Sequence, residues 1–276
     1  MGFGRKTVDL LAGMNKHRDI LLKALNVPGL GSVLKQVMDR KGTVFTYIPV
    51  NKAIEVNGSV ALPIAIAEHF IHEASHRVIL SFCPCRRSMN CGEYDVSLGC
   101  IFLGEGAREI DTPAVGRSAS IVEAIDHLNR AVAAGLVPVV GKVKFDAAYL
   151  GVKKHHRLMT ICFCCSCCCL ARGIHYAPRD VRDVMVKLEG VEVNVVGECV
   201  GCGACVEACI FQQRKIVEGK SVTGEECKGC GRCASVCPND AIEVRVKNPE
   251  YISQCIDRIS AFVDIKNDDP GEQRQS

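Results

Sequence analysis

The stretch CVGCGACVEACIFQQRKIVEGKSVTGEECKGCGRCASVCP, residues 199–238, decides how the rest of the chain is interpreted. It contains two runs of the form C-x2-C-x2-C-x3-C, and each cysteine of the second run follows its counterpart by 28 positions. The first run is Cys199, Cys202, Cys205 and Cys209, and the second is Cys227, Cys230, Cys233 and Cys237. Three cysteines spaced by two residues in a tight loop can present three sulfurs to one face, and a cubane of four irons needs one thiolate per iron. The pattern therefore predicts iron–sulfur ligation.

The tandem runs resemble the bacterial ferredoxins that carry two [4Fe–4S] clusters, over roughly residues 191–247. In that family the last cysteine of each run serves the other cluster, so the resemblance implies two ligand sets. The first set is Cys199, Cys202, Cys205 and Cys237, and the second is Cys227, Cys230, Cys233 and Cys209. Pro238 fits the family pattern, whereas Ile210 stands where a proline is expected.

A zinc ribbon and a disulfide framework are the two alternatives for these eight cysteines. Zinc ribbons usually show two separated C-x2-C pairs rather than triplets with a trailing fourth cysteine. A disulfide framework is typical of exported chains, and the N-terminal residues MGFGRKTVDLLAG lack the apolar run and cleavage site of a signal peptide. The two-cluster interpretation accounts for the spacing better than either alternative.

Composition places the chain in a reducing compartment. Its 276 residues include 19 cysteines and no tryptophan, and no apolar stretch approaches the roughly 20 residues that a membrane span needs. Many cysteines without an export signal indicate metal ligation in the cytoplasm. Exposed clusters and thiolates oxidise readily, so anaerobic metabolism is the expected setting.

A second group of cysteines follows a predicted strand at 78–82: Cys83, Cys85, Cys91 and Cys100. Four thiols within eighteen residues can hold a further cluster or zinc. Ordinary buried cysteines are the alternative. Arg86 and Arg87, in a segment predicted as a loop, can offset the charge of an anionic cluster.

The densest cysteine run follows another apolar stretch, residues 158–163: Cys162, Cys164, Cys165, Cys167, Cys168 and Cys169. Six thiols in eight residues cannot all serve one cubane, because neighbouring side chains point in different directions. Some are expected to complete metal sites with the Cys83–Cys100 group at neighbouring strand ends. Others can be free redox thiols, for which the catalytic candidates are Cys164, Cys165, Cys167 and Cys168. A structural core of cysteine is the remaining alternative.

The pattern of elements predicts an α+β chain. We expect a cysteine-rich domain of mixed helices and strands with an additional metal cluster at 1–170, a linker helix within 171–190, a two-[4Fe–4S] ferredoxin domain at 191–248, and a short helix with a disordered tail at 249–276. The cysteine-rich domain at 1–170 resembles the N-terminal extension of little-characterised ferredoxin proteins from anaerobes. Outer strands at 191–196 and 241–246 are expected to pair, with a hairpin between 215 and 223.

Two further segments carry local signals. A helix predicted at 62–76 contains HEASH, which matches the H-E-x-x-H zinc pattern, but we interpret it as an ordinary polar helix face. Ser120 and Glu123 have the spacing of a capping box, followed by an apolar helical stripe, Gly135 and a strand at 137–144. This helix–strand unit is the basis for a nucleic-acid hypothesis.

These observations lead to three functional hypotheses. The first is a multi-cluster ferredoxin that passes single electrons to a redox partner protein or enzyme complex. The second is a reductase whose N-terminal cysteines act on a disulfide, a sulfur compound or a corrinoid protein, and the third is an iron–sulfur regulator that binds DNA. We expect no membrane span and no nucleic acid, and the sequence assigns no oligomeric state.

Charge is distributed unevenly along the chain. Residues 1–190 carry 24 Lys and Arg against 17 Asp and Glu, whereas residues 191–276 carry 10 against 14. An acidic module joined to a basic body suggests electrostatic docking, either between the two parts or with a redox partner, although ordinary solvated surface explains the pattern equally well.

Overall fold

The computed structural model describes residues 2–29, 31, 43–49, 54–56, 59–61 and 63–266. The strands are β1 Val44–Tyr47, β2 Ile54–Val56, β3 Ser59–Ala61, β4 Arg77–Leu80, β5 Ile101–Leu103, β6 Gly116–Ser118, β7 Val137–Lys142, β8 Met159–Cys164, β9 Met185–Val186, β10 Val191–Val195, β11 Arg214–Val217, β12 Lys220–Thr223 and β13 Ile242–Val246. The helices are α1 Arg5–Gly13, α2 Arg18–Ala24, α3 Ala65–Glu73, α4 Pro84–Ser88, α5 Ile121–Ala133, α6 Lys144–Leu150, α7 Arg179–Arg182, α8 Ala204–Glu207, α9 Arg232–Ser235 and α10 Tyr251–Ser260.

A seven-stranded sheet organises the N-terminal part, with strand order β6-β4-β5-β8-β7-β1-β9. Neighbouring strands are antiparallel except β1 and β9, which are parallel. Strand side chains alternate between two cores: Val78 and Leu80 of β4 join one, and Ile79 between them joins the other. The mixed helix and strand content agrees with the predicted α+β class.

Helices cover both faces of the sheet. On one side Ile66 of α3, Leu128 of α5 and Ile259 of α10 are buried in the larger core, and on the other Val8 of α1 and Leu150 of α6 are buried in the smaller core. At about 2 kcal/mol per buried large apolar side chain, these contacts hold the helices on the sheet.

The capping box predicted for α5 is confirmed. The Ser120 hydroxyl accepts from the Glu123 amide at 3.2 Å, and the Glu123 carboxylate accepts from the Ser120 amide at 2.8 Å. Gly135 follows the helix in the left-handed region, φ +81°, and turns the chain into β7. All six residues of β7 are buried inside the sheet.

Several predicted boundaries are wrong. The helix predicted at 62–76 covers only Ala65–Glu73, and Ala74 is extended, so His72 and His76 do not share a helical turn. The segment predicted as a loop around Arg86 is α4, which starts at Pro84 because proline is pre-set for the first helical position.

The linker helix expected within 171–190 covers only Arg179–Arg182. A 3₁₀ turn at Leu170–Tyr176 precedes it, and the chain then extends as β9 because residues 185–186 pair with β1 at the edge of the sheet. The tail predicted after Ile265 lies outside the described residues from position 267 onward.

Residues 191–248, which we call the C-terminal module, have the strand pairing that the sequence predicts. Strands β10 and β13 are antiparallel, with Val191 opposite Val246, and β11 and β12 form the hairpin. The short helices α8 and α9 follow Gly203 and Gly231, which lie 28 residues apart. Among the helices described, none is both long and apolar enough to span a membrane.

Candidate metal centres

Two cavities in the C-terminal module are each lined by four cysteines. Cavity 1 is lined by Cys199, Cys202, Cys205 and Cys237. Cavity 2 is lined by Cys209, Cys227, Cys230 and Cys233. Each cavity therefore combines three cysteines of one run with the last cysteine of the other, which is the grouping that the family resemblance implies.

Backbone conformation in the cysteine loops depends on glycine. Gly203 and Gly231 both have positive φ, +83° and +74°, and each begins a short helix that carries the third cysteine of its run. Gly201 is also left-handed, and a Cβ there would lie 2.6 Å from the Gly219 carbonyl oxygen. The loops can close around the cavities because these positions carry no side chain.

Backbone amides point at the sulfurs in the same way in both repeats. The Gln213 amide donates to Cys209 Sγ at 3.2 Å, and the Ala241 amide donates to Cys237 Sγ at 3.3 Å. The Ser221 amide donates to Cys199 Sγ at 3.3 Å. Hydrogen bonds from the Gly201 and Ser221 amides lower the pKa of Cys199, which favours the thiolate that metal ligation requires.

Arg214 is a buried cation in the wall of cavity 2. It is 2% exposed, and its Nη1 donates to Ser221 Oγ at 3.3 Å, while Nε and Nη2 have no hydrogen-bond partner among the described residues. No carboxylate in the described part of the chain pairs with it. A buried guanidinium requires an anion nearby, and a cluster held by four thiolates is anionic, so the residues around cavity 2 fit such a group.

The positive charge of Arg214 also acts on Cys233, a candidate cluster ligand. Burial raises the pKa of Cys233, and the Arg214 guanidinium opposes that rise. Sequence reasoning missed Arg214. The signal was present in the repeat itself, because the position 28 residues later is Ile242, so an arginine stands where the other half of the module buries an isoleucine.

The structure brings the two upstream cysteine groups together at one edge of the seven-stranded sheet. Strand β5 runs antiparallel between β4 and β8, so the ends of β4 and β8 and the start of β5 share this edge. Three sulfur pairs result. Cys100 and Cys162 are 3.3 Å apart, Cys164 and Cys169 are 3.0 Å apart, and Cys91 and Cys167 are 3.6 Å apart. We call the ten cysteines at this edge the N-terminal cysteine group; they are Cys83, Cys85, Cys91, Cys100, Cys162, Cys164, Cys165, Cys167, Cys168 and Cys169.

Arg86 lies inside this group with no exposed surface. Its guanidinium donates to the backbone carbonyls of Asp95, Leu98 and Phe163. Within the described residues no carboxylate forms a salt bridge with it, because the Asp95 carboxylate accepts from Ser97 instead.

The anions available to Arg86 are thiolates. Burial lowers the pKa of Arg86, but the surrounding cysteines, led by Cys83, raise it by more. A buried arginine is therefore expected to be balanced by thiolate charge in this group. Metal ligation by these cysteines, which such charge favours, remains a prediction.

The four candidate catalytic thiols are poorly placed for attack on a substrate. Cys164, Cys165 and Cys168 are buried, and Cys167 is half-buried. Burial raises the pKa of Cys167, and it raises that of Cys168 to about 12, so both are neutral thiols in the absence of metal. Neutral thiols are weak nucleophiles, which disfavours free-thiol chemistry here.

One comparison with known proteins gives a match. Residues 222–243 match the family model described as a 4Fe-4S binding domain. The match indicates 4Fe–4S binding by this part of the chain. The matched segment contains all four cysteines of the second run, three of which line cavity 2 and one cavity 1. No curated protein matches the chain, and no solved structure matches it.

Proposed function

We propose that this chain is an electron-transfer protein whose C-terminal module holds two [4Fe–4S] clusters. The observation that carries the proposal is the composition of the two cavities, each of which takes its fourth cysteine from the opposite run. A zinc ribbon or a disulfide framework gives no reason for such an exchange. The match of residues 222–243 supports cluster binding by the second run.

The proposed ligands divide into two sets. Cavity 1 would use Cys199, Cys202, Cys205 and Cys237, and cavity 2 would use Cys209, Cys227, Cys230 and Cys233. A bound [4Fe–4S] cluster supplies reversible one-electron chemistry. The chain holds the sulfurs, donates amide hydrogen bonds to three of them, and places the Arg214 charge beside cavity 2. The hydrogen bonds and the arginine charge favour the more negative, reduced state.

Cavity 1 is the proposed point of contact with a redox partner. Cys202, which lines it, is exposed, and neighbouring Val200 is 66% exposed. Cysteines of cavity 2 are more deeply placed, since Cys209, Cys230 and Cys233 are buried. A partner with a basic face would suit the C-terminal part of the chain, since residues 191–276 carry 14 acidic and 10 basic side chains.

The two alternatives find less support. Cys164, Cys165 and Cys168 are buried, so a reductase substrate could not reach any of these three thiols. For a DNA-binding regulator, the strand of the helix–strand unit, β7, is buried in the sheet.

Iron and acid-labile sulfide measured on anaerobically purified protein test the proposal. Two clusters require about eight irons and eight sulfides per chain, and one-electron reduction should give a paramagnetic signal. The double variant Cys227→Ser with Cys230→Ser should lose about half of the iron, whereas Cys255→Ala, a buried thiol on α10 away from both cavities, should keep all of it. Protein with about four irons would contradict the two-cluster count, and protein without sulfide would overturn the electron-transfer proposal.

A further inference from the structure

Three thiols of the N-terminal cysteine group converge on one point. The sulfurs of Cys91, Cys167 and Cys168 all lie within 4.8 Å of one another, and Cys91 and Cys167 are 3.6 Å apart. Among the described residues this is the only set of three or more Cys, His, Asp or Glu side chains so closely grouped.

The spacing distinguishes this set from the cavities of the C-terminal module. Two sulfurs in a tetrahedral zinc site, each about 2.3 Å from the ion, lie about 3.8 Å apart. Thiolates of a cubane bind four different irons and are therefore further apart. The eight cysteines of cavities 1 and 2 are all described, and no three of their sulfurs approach within 4.8 Å of one another. Their arrangement suits a polynuclear group, whereas Cys91, Cys167 and Cys168 are arranged for one ion.

The turn that carries two of these thiols is held from a distant part of the chain. Arg18, 9% exposed, donates to the carbonyls of Cys169 at 3.0 Å and of Cys167 at 3.4 Å. Asn15, also 9% exposed, donates to the carbonyl of Cys168 at 3.1 Å. On the other side the Cys91 amide donates to the Arg86 carbonyl at 2.9 Å, which fixes Cys91 at the end of α4. The site is thus built from three separate segments.

We propose that Cys91, Cys167 and Cys168 bind a single thiophilic metal ion, with zinc(II) as the expected occupant. The inference goes beyond electron transfer, because zinc has no redox chemistry and a closed thiolate site is structural. Each of the three thiols gives up its proton to solvent, and the three thiolates form bonds to the divalent ion, leaving one net negative charge. Thiolate ligands favour zinc over harder cations.

A fourth thiol lies near this set, at a sulfur that is not within 4.8 Å of all three. Cys165 is buried, and its sulfur accepts from the Cys168 amide at 3.3 Å, so it belongs to the same turn. A bound ion would tie the turn after β8 to the segment after α4, which are 76 residues apart at Cys91 and Cys167.

Element-specific measurements on the full chain test the proposal. Zinc and iron are quantified in anaerobically purified protein supplied with zinc chloride, and X-ray absorption at the zinc edge reports the ligands. We expect about one zinc per chain, with three or four sulfurs at about 2.3 Å. Cys91→Ser should lower zinc retention against a chelator by about tenfold or more, while iron in the C-terminal module stays unchanged. Cys255→Ala should retain both metals.

A second variant controls for the possibility that Cys91→Ser misfolds. Cys91→His keeps a metal ligand, so the zinc should stay and its shell should exchange one sulfur for one nitrogen. Zinc content that is equal in Cys91→Ser and the parent would overturn the proposal. So would iron–iron scattering and sulfide that disappear with Cys91→Ser, since these would show a cluster in place of a single ion. In either case the iron of the C-terminal module would still report separately on the proposed electron-transfer function.

Discussion

Tyr47 and Phe211 meet edge to face, with ring centroids 4.6 Å apart and ring planes at 85°. Tyr47 lies on β1, 1% exposed, and Phe211 lines cavity 2, two residues after Cys209. Burial raises the pKa of Tyr47, and Cys164 and Cys169 raise it further. The aromatic pair therefore stands between the N-terminal cysteine group and cavity 2, and it joins the two parts of the chain through one continuous core.

Separate removal of the two rings should show that they stabilise the protein together. A cycle of Tyr47→Leu, Phe211→Leu and the double variant is expected to give a coupling energy of about 1 kcal/mol, because edge-to-face pairs contribute about that much beyond burial. Urea unfolding followed by circular dichroism under anaerobic conditions measures it. Tyr47→Phe keeps the ring and should preserve the coupling; additive single variants would show that the contact carries no energy of its own.

Arg214 should set the reduction potential of a cluster in cavity 2. A unit charge at about 8 Å contributes about 2 kcal/mol at an effective dielectric constant of 20, which corresponds to roughly 90 mV for one electron. Arg214→Met removes the positive charge, so the potential should become more negative by that order. Redox titration followed by electron paramagnetic resonance measures the shift. Arg214→Lys keeps the charge and should show little of this shift. An unchanged potential in Arg214→Met would show that this side chain does not influence the cluster.

Two glycines of the first cysteine run provide a matched steric test. Gly203→Ala places a side chain at φ +83° in open space, so it should cost about 1 kcal/mol from backbone strain alone. Gly201→Ala meets the same type of strain at φ +65° and also a backbone oxygen 2.6 Å from the new Cβ. Iron release to a chelator should therefore be faster for Gly201→Ala than for Gly203→Ala. The reverse order would contradict the close approach of Gly219 to this loop.

Asp146 should make stability depend on pH. Asp146 is partly exposed as a whole residue, but its carboxylate is buried. Burial raises the pKa of this carboxylate to about 6, although Thr160 donates a hydrogen bond to it at 2.8 Å. The pKa of Asp146 is higher in the folded than in the unfolded state. Its contribution to the free energy of unfolding is therefore fully present below about pH 4, and up to about 3 kcal/mol of it is lost as the pH rises through 6. Unfolding free energies at pH 5 and 7 should differ less in Asp146→Asn than in the parent. An equal difference in both proteins would show that Asp146 does not titrate with folding.

Local signals in the sequence predicted local structure well. Ser120 and Glu123 cap α5 because both partners lie within one turn. The pairing of β10 with β13 follows from the 28-residue repeat, and the hairpin between them follows from the short separation of its strands. The grouping of cysteines around cavities 1 and 2 agrees with the resemblance to two-cluster ferredoxins.

Long-range arrangements were beyond sequence reasoning. Cys100 reaches Cys162 only because β5 pairs with β8 across some 60 residues, a register that depends on the whole sheet. The spacing of apolar residues after Pro178 predicts a helix through residues 185–186, but pairing with β1 overrides that local preference. The positions of Arg86 and Tyr47 depend on the same tertiary contacts, so their burial beside cysteines carried no local signal.

The exchange of cysteines between the two runs has a consequence for synthesis on the ribosome. Cavity 1 begins with Cys199 and is completed by Cys237, which emerges 38 residues later. Until then the first three thiols of cavity 1 lack their fourth partner, although cavity 2 already has its four cysteines once Cys233 has been synthesised. In the proposed two-cluster module, truncation between Cys233 and Cys237 would thus spoil the earlier site alone, and truncation before Cys233 would spoil both.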